Sequence, residues 1–146
     1  MAGPHAPRII VKAYGVLIHP DGERFLVVRF GVGDEVCHRI PGGKVEFLEL
    51  SAATLVRELH EEFGIEITDP VPIGVLENMS DDGAGRHDVI FTFAHRLVET
   101  PIPDAGGYFA DDGGTYWAEW RLFDATSPDL FPAGLDHLLP NALAWT

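Results

Sequence analysis

The chain has 146 residues, of which 46% are hydrophobic and 23% are charged, so it is long enough for one globular domain but not for two. Its formal net charge of −13 argues against a long polyanion such as DNA or RNA as its partner. Cys37 is the single cysteine, which excludes an internal disulfide and fits a reducing compartment. The N-terminus lacks the pattern of a signal peptide, and the longest apolar run, 9–18, is too short to span a bilayer. We therefore expect a cytoplasmic protein without a membrane segment.

The first part of the chain is expected to form a tail and three strands. Residues 1–7 are mostly small or proline and predict a flexible tail, so a single domain is expected over residues 8–146. Branched and aromatic side chains over 8–18 and 24–30 predict the first two strands. A third, short strand is expected over 35–40, directly before a Pro-Gly-Gly turn.

The rest of the chain predicts one long helix, further strands and a second helix. The expected elements are a helix over 51–63, strands over 65–68, 73–78, 88–97 and 115–123, a long loop over 99–114 and a helix over 133–144. Long loops are often functional, which draws attention to the aspartates of 99–114. Strands with two helices at separate points indicate an α+β fold, a sandwich of helix, mixed sheet and helix.

The helix over 51–63 is the most informative stretch of the sequence. Ser51 is the expected N-cap, and Gly64 is the expected left-handed C-cap. At 100° per residue, the apolar side chains fall within about 60° of one direction and predict a stripe that packs on a sheet. This stripe consists of Ala52, Leu55, Val56, Leu59 and Phe63. The carboxylates that lie together on another side are Glu58, Glu61 and Glu62.

These neighbouring carboxylates repel one another, so they are either left solvated or held by cations. A solvated acidic face is the common outcome for such a cluster. Here, however, a Gly-Gly turn precedes the helix, Arg57 lies beside the cluster, and Glu46 and Glu49 add further acid groups. Carboxylates and a backbone carbonyl are the oxygen ligands that Mg²⁺ or Mn²⁺ prefers, and such ions usually bridge phosphate oxygens. The pattern therefore favours metal-dependent phosphate chemistry.

The stretch 43–65 also matches a specific signature. The signature reads Gly, five residues, Glu, seven residues, Arg-Glu-aliphatic, one residue, Glu-Glu, one residue, Gly-aliphatic. The matching positions are Gly43, Glu49, Arg57, Glu58, Leu59, Glu61, Glu62, Gly64 and Ile65. A pattern of this length at fixed spacing is far more specific than a lone glycine motif. In this stretch, about a sixth of its length, the chain resembles the Nudix hydrolases.

The resemblance implies a Nudix-like α/β/α sandwich and a set of metal ligands. It implies that Glu58, Glu61 and Glu62 bind Mg²⁺, with Mn²⁺ as the alternative, together with the backbone carbonyl of Gly42. Glu58 or Glu61 is also the candidate general base. Arg57 is expected to orient a glutamate of this set, and the alternative for Arg57 is a surface ion pair.

Further site residues are expected outside the signature. Nudix enzymes often supply one more acid from a late loop, and Asp112 is the best candidate metal ligand there, although Asp-Asp-Gly-Gly is also ordinary turn chemistry. His38, Arg39 and His87 are expected to bind substrate, and for His87 a surface position is an equal alternative. Relatives often carry an aromatic side chain at the place of His38 and glycine at that of Leu48, which bears on substrate fit and not on the metal site.

Together these features predict a divalent-metal-dependent hydrolase that cleaves the pyrophosphate linkage of a nucleoside diphosphate joined to another group. One alternative is a nucleotide-sensing domain that binds without cleavage, against which the complete set of glutamates argues. Another is a prenyl-diphosphate isomerase, which only Cys37 favours. The signature does not identify the substrate: ADP-ribose, nucleoside triphosphates, nucleotide sugars and dinucleoside polyphosphates are all candidates. Homodimers are frequent in the family, so a homodimer is one option.

Overall fold

A computed structural model describes residues 7–80, 85–111 and 113–145 of the protein. The strands are β1 (Ile9–Ile18), β2 (Arg24–Phe30), β3 (Cys37–Arg39), β4 (Gly42–Lys44), β5 (Val71–Met79), β6 (His87–Arg96), β7 (Gly107–Asp111), β8 (Gly114–Leu122) and β9 (Asp129–Phe131). The α-helices are α1 (Ser51–Phe63) and α2 (Leu139–Trp145), and short 3₁₀ helices lie at Gly33–Glu35 and Leu135–His137. The predicted α+β sandwich with a mixed sheet and two main helices is confirmed.

The sheet is built around β1. This strand pairs in parallel with β6 along its whole length, from Ile9–His87 to Ile18–Arg96. On its other edge β4 pairs antiparallel with residues 12–14, whereas β2 pairs at Ile18. The strands follow the order β5-β6-β1-β2-β3-β9, and β8 pairs with both β2 and β7. The Gly-Gly stretch of β4 therefore occupies a position beside β1 that β2 leaves free.

Alternating side chains of β1 reach two separate cores. Ala13 and Leu17 pack in the core that contains Leu55 and Leu59 of α1. The core on the other face joins β1 to the C-terminal helices and includes Tyr14, Val16, Ile18, Leu135, Leu139 and Ala142. Burying a leucine of this kind contributes about 2 kcal/mol to folding. The two helices therefore cover opposite faces of the sheet, which is the layer order that the sequence predicted.

Two predictions between α1 and β8 are wrong. Residues 65–68 are not a strand: Ile67 is buried in the core beneath α1, but the segment pairs with no strand of the described sheet. The loop predicted over 99–114 contains β7, which pairs with β8 from Gly107–Ala118 to Asp111–Gly114. Glycine and proline indicated a loop, but the adjacent β8 supplies the hydrogen bonds that make a strand, which local propensity does not register.

The C-terminal helix is shorter than the predicted range 133–144. Gly134 has a φ of +92° and precedes a 3₁₀ turn, and α2 begins only at Leu139. Pro140 lacks an N–H group and is tolerated in the first turn of a helix but not in its interior, which is why α2 begins here. Strand β9, which was not predicted, lies before this region and pairs in parallel with β3. Within the described ranges, no helix has both the length and the apolar character needed to cross a membrane.

Two local expectations before α1 also need correction. Ser51 is the first helical residue, and the N-cap is Leu50, which makes no side-chain capping hydrogen bond. The strand expected over 35–40 is limited to Cys37–Arg39, because Gly33–Glu35 form a 3₁₀ turn. The predicted end of α1 is confirmed: Gly64 is left-handed, with a φ of +66°.

Candidate active site

Two glycines allow β4 to lie between β1 and α1. A Cβ atom on Gly42, whose φ is +153°, would be 2.1 Å from the carbonyl oxygen of Ala13. A Cβ atom on Gly43 would be 2.4 Å from Cδ and from Oε1 of Glu58. Both distances are far shorter than van der Waals contact, so a side chain at either position would clash with its neighbour. The Gly-Gly stretch thus brings the backbone directly against a carboxylate of α1.

One guanidinium connects the loop before α1 to the acidic side of the helix. Arg57 donates from Nε to Oε2 of Glu49 at 2.8 Å and from Nη2 to Oε1 of Glu49 at 3.0 Å. Its Nη1 donates to Glu58 at 3.0 Å and to Glu61 at 3.4 Å, and its Nη2 donates to the carbonyl oxygen of Lys44 at 3.4 Å. The planar guanidinium can serve so many acceptors because its five N–H donors have fixed directions.

Glu49 is the acceptor that fixes this arginine. Its Oε1 accepts hydrogen bonds from Thr54 Oγ1 at 2.6 Å and from the backbone N–H of Glu46 at 3.3 Å. The hydrogen bonds from Arg57 and then Thr54 lower the pKa of Glu49 to about 2, so its carboxylate is ionised at neutral pH. Glu49 thus ties the loop before α1 to the helix itself. In the same loop Leu48 has a φ of +67°, a left-handed conformation that favours glycine.

Glu58 and Glu62 are a pair of carboxyl groups one turn apart on α1, and their like charges disfavour ionisation of both. Burial, followed by the charge of Glu58 and a hydrogen bond with it, raises the pKa of Glu62 to about 8. The negative charge of Asp111 acts in the same direction, and the positive charge of Arg39 opposes it. Two carboxylates so close together cannot both ionise without a counter-charge. Near neutral pH the pair therefore retains a proton that a bound cation would displace.

The donor set at this end of α1 fits a hard divalent cation. It offers carboxylate oxygens that lack a full counter-charge, beside a backbone that only glycine allows to come close. In the described part of the chain, no three acidic, histidine or cysteine side chains are already gathered into a metal-binding group. Arg57 holds Glu58 and Glu61, and the Glu61 side chain is 55% exposed. Asp112, the further predicted ligand, lies outside the described residues.

A cleft of about 800 Å³ lies on the sheet face opposite α1. Its walls include Lys12, Tyr14, Arg39, Arg86, Asp88 and Phe131. Three of the ten Lys and Arg residues of the chain therefore line one cleft of a protein with a net charge of −13. Positive side chains with aromatic walls suit an anionic ligand that carries a flat ring.

Arg39 belongs to both the cleft and the carboxylate pair. Its Cζ lies 4.5 Å from the ring centroid of Phe30 and 5.5 Å from that of Tyr14, so aromatic rings hold the guanidinium in place. Its Nε is buried and donates to none of the described residues. Its positive charge also acts to lower the pKa of Glu62 on α1. Arg39 is therefore a residue of the cleft whose charge also acts on a carboxylate of α1.

The other two predicted substrate-binding residues are placed differently. His38 is only 5% exposed and contacts Glu119 at 2.8 Å and Arg121 at 3.1 Å. Its neighbours in β3, Cys37 and Arg39, line the cleft, so strand alternation turns the His38 side chain away from it. Burial lowers the pKa of His38, which keeps the imidazole neutral. His87, by the same alternation, is not among the described residues that line the cleft.

Sequence reasoning missed the most buried polar pair of the cleft. Lys12 Nζ lies 3.0 Å from Oδ2 of Asp88, and the two side chains are 10% and 9% exposed. Arg86 approaches the same oxygen at 3.5 Å. The only available signal was the single charge of Lys12 inside the apolar run 9–18, because Asp88 lies 76 residues further along the chain.

Solved structures with the same fold are numerous. A MutT Nudix hydrolase from Burkholderia pseudomallei is 22% identical, with 94% of this chain and 98% of that chain covered and a TM-score of 0.66. The E. coli ORF135 protein is 23% identical, with coverages of 98% and 94% and a TM-score of 0.65. A MutT protein from Methanosarcina mazei Go1 is 18% identical, with coverages of 92% and 92% and a TM-score of 0.67. At these identities the likeness shows a shared fold.

The sequence itself matches a family model over almost its whole length. A comparison with curated proteins gives no match. The model described as NUDIX domain, however, matches residues 10–141, which include the glycines of β4, the carboxylates of α1 and the residues that line the cleft. This chain therefore belongs to the Nudix family of hydrolases.

Proposed function

We propose that this protein hydrolyses the pyrophosphate linkage of a nucleoside diphosphate joined to another group, with Mg²⁺ or Mn²⁺ as cofactor. The observation that carries the proposal is the position of Arg39. This side chain lines the cleft and also acts on the charge of Glu62. A nucleotide that places its phosphates at Arg39 therefore brings them to the carboxylates of α1, while the rest of the ligand occupies the cleft.

The residues that would hold the cation are the glutamates of α1 with the backbone at the Gly-Gly stretch. They are Gly42, through its carbonyl oxygen, Glu58, Glu61 and Glu62, with Asp112 as a further candidate. When bound, the cation neutralises charge that develops on phosphate oxygens and lowers the pKa of water. The raised pKa of Glu62 supports this assignment, because a carboxylate with a nearby negative partner gains most from a cation.

The chain's own residues have separable roles in the proposed reaction. Arg57 is a positioning residue: it holds Glu58 and Glu61 and is itself fixed by Glu49. Glu58 and Glu61 are the two candidates for accepting a proton from the attacking water. Arg39 orients phosphate oxygens at the end of the cleft. Most of the rate enhancement in phosphoryl transfer comes from such positioning and from charge stabilisation.

The test is hydrolysis across a nucleotide panel with Mg²⁺ and with Mn²⁺, run beside Glu62→Gln. The panel contains ADP-ribose, nucleoside triphosphates, nucleotide sugars and dinucleoside polyphosphates. We expect wild type to cleave one of these classes and the variant to be slower by orders of magnitude, because Gln offers no charge to a cation. A folded wild type that binds a nucleotide but cleaves nothing would contradict the proposal and favour a sensing domain.

A further inference from the structure

Lys12 and Asp88 form a buried ion pair at the point where one face of the sheet stops packing in the apolar core and begins to line the cleft. Tyr14, Val16 and Ile18 lie on this face of β1 in the apolar core beneath α2. Lys12 continues the same alternation two residues before Tyr14, but there the face forms a wall of the cleft. The ion pair is therefore not enclosed by the core: it is buried at the base of a cleft that a ligand can enter.

The pair carries unused hydrogen-bonding capacity. Oδ2 of Asp88 faces Lys12 and Arg86, but Oδ1 is buried and accepts no hydrogen bond from any residue that the structure describes. Asp88 as a whole is 7% exposed, so bulk water reaches it poorly. The ammonium of Lys12 has three N–H donors, and Asp88 Oδ2 takes one of them. A buried acceptor without a donor costs free energy, so a ligand in the cleft binds best when it brings a hydrogen-bond donor to Asp88 Oδ1.

We propose that Lys12 and Asp88 read the base of the bound nucleotide and select guanine. The proposal rests on the proposed function for the nature of the ligand, since it takes the ligand to be a nucleotide. In this arrangement Lys12 donates to a carbonyl oxygen of the base, and Asp88 Oδ1 accepts from the adjacent N–H. One edge of one ring then supplies both an acceptor for Lys12 and a donor for Asp88 Oδ1.

Guanine fits this pair better than the other bases because of the order of groups on its edge. It presents a carbonyl oxygen followed by two adjacent N–H donors, so an ammonium beside a carboxylate meets complementary charge at each point. Uracil and thymine flank their single N–H with two carbonyl oxygens, one of which would face the carboxylate. Adenine and cytosine offer one amino donor beside a ring nitrogen. A base that places an acceptor against the ionised carboxylate is repelled, so Asp88 Oδ1 disfavours every base without an N–H donor at that position.

The position of the pair agrees with the orientation that the phosphates require. The ring of Tyr14 lies 5.9 Å from Lys12 Nζ and 5.5 Å from Arg39 Cζ, so a ligand that contacts this ring can reach both cations. Of the two, Arg39 is the cation whose charge acts on Glu62 of α1, whereas Lys12 lies on β1 beside β6. Phosphates at Arg39 therefore leave the base to Lys12 and Asp88, which line the same cleft.

The experiment measures binding of GMP, IMP, AMP, CMP and UMP to the metal-free protein by titration calorimetry in EDTA. Monophosphates have no pyrophosphate linkage, so binding is read without hydrolysis. We expect GMP to bind about 10- to 100-fold more tightly than AMP, CMP and UMP. IMP, which lacks the 2-amino group of guanine, is expected to bind with intermediate affinity. In Asp88→Asn the preference for GMP over IMP and AMP should disappear.

Two further variants separate base reading from general effects. Glu77→Gln removes a negative charge from the rim of the same cleft, where the side chain is exposed, and should leave the base preference unchanged. The double variant Lys12→Met with Asp88→Leu replaces the ion pair by apolar groups, which avoids an unpaired buried charge and protects folding. It should fold, as judged by its melting temperature, and should bind all five monophosphates with similar affinity.

Several results would overturn the proposal. They are equal binding of all bases by wild type, preference for a base other than guanine, no binding of GMP at millimolar concentration, or an unchanged preference in Asp88→Asn. Equal binding would leave the pair as a structural link between β1 and β6. Failure of the proposed hydrolysis is a separate outcome: a protein that prefers GMP but cleaves nothing keeps the base-reading pair and loses the catalytic role. A protein that hydrolyses nucleotides but binds all bases equally keeps the catalytic role and loses the base-reading pair.

Discussion

Arg57 and Glu49 are joined by two hydrogen bonds, Nε to Oε2 at 2.8 Å and Nη2 to Oε1 at 3.0 Å, although they lie 8 positions apart, one in α1 and the other in the loop before it. The same guanidinium holds Glu58 at 3.0 Å. Glu49 is thus one step removed from the carboxylate that approaches Gly43. This relationship explains how a loop residue can influence a carboxylate that it does not touch.

Arg57→Lys should lower kcat by about 10- to 100-fold, which is the usual effect of removing a residue that orients a metal ligand. Lysine keeps the positive charge but cannot make the two-point contact with Glu49 while also holding Glu58. The melting temperature should change little, because lysine keeps a positive charge beside Glu49 and Thr54 still donates to that carboxylate. The checks are steady-state kinetics and thermal unfolding.

The control for this variant is Arg24→Lys, which alters an arginine paired with Asp21 at 2.9 Å in the first hairpin. It should leave kcat unchanged. If Arg57→Lys lost activity and its melting temperature also fell far enough for the protein to be largely unfolded in the assay, Arg57 would only stabilise the fold.

Glu62→Gln should abolish most metal-dependent activity without destabilising the metal-free protein. Burial and Glu58 hold the pKa of Glu62 near 8, so at neutral pH the carboxyl is largely protonated and resembles the neutral amide of Gln. Urea unfolding in EDTA at pH 7 should therefore give an unfolding free energy at least equal to that of wild type. Adding Mg²⁺ should stabilise wild type and not the variant, since only a native-state ligand raises stability. Equal stabilisation of both proteins would remove Glu62 from the ligand set.

Much of this architecture could be predicted because its determinants are local. The helix α1 has an apolar stripe at helical spacing and a glycine cap, and both were visible in the chain. The strands β7 and β9 were missed because their stability comes from pairing with β8 and β3, not from their own residues. Sequence spacing alone does not show which distant strand will be a neighbour.

The same distinction separates the two halves of the candidate site. The carboxylates of α1 lie within one turn of each other, so their proximity follows from helix geometry. The cleft combines residues from β1, β3, β6 and β9, and its ion pair joins Lys12 to Asp88 across 76 residues. The placement of Arg39 at the cleft and the burial of its neighbour His38 depend on how β3 pairs with β2 and β9, which the residues of β3 alone do not show.

Gly43→Ala should mainly lower activity and Gly42→Ala should mainly lower stability, although the two glycines are adjacent. At Gly43 the new Cβ would meet the end of the Glu58 side chain at 2.4 Å, and that flexible end can move away. Activity should then fall by about 10- to 100-fold while stability is nearly kept, because a displacement of 1 Å in a catalytic group is costly. At Gly42 the Cβ would meet the backbone oxygen of Ala13, which cannot move, and stability should fall by about 2 kcal/mol or more.

Kinetics and urea unfolding of the two glycine variants provide the comparison. If Gly43→Ala were fully active, the carboxylate of Glu58 would have no role at its observed position. If Gly42→Ala were as stable as wild type, β4 would not need its close approach to β1.

The stability of the metal-free protein should fall with pH in a window set by Glu49. Its pKa is about 2 in the folded protein, because of Arg57 and Thr54, and 4.5 as the reference value. A lowered folded pKa means that the unfolded chain binds the proton more readily, so the stabilisation is complete above about pH 4.5 and is lost as the pH falls toward 2.

Glu49→Gln cannot titrate at this position, so the difference in unfolding free energy between wild type and the variant should shrink across this window. Urea unfolding in EDTA at a series of pH values measures this difference, with Glu23→Gln, an exposed hairpin residue, as the control that should follow wild type. A difference between wild type and Glu49→Gln that stayed constant from pH 6 downward would show that the Arg57 pair does not hold the Glu49 carboxylate in solution.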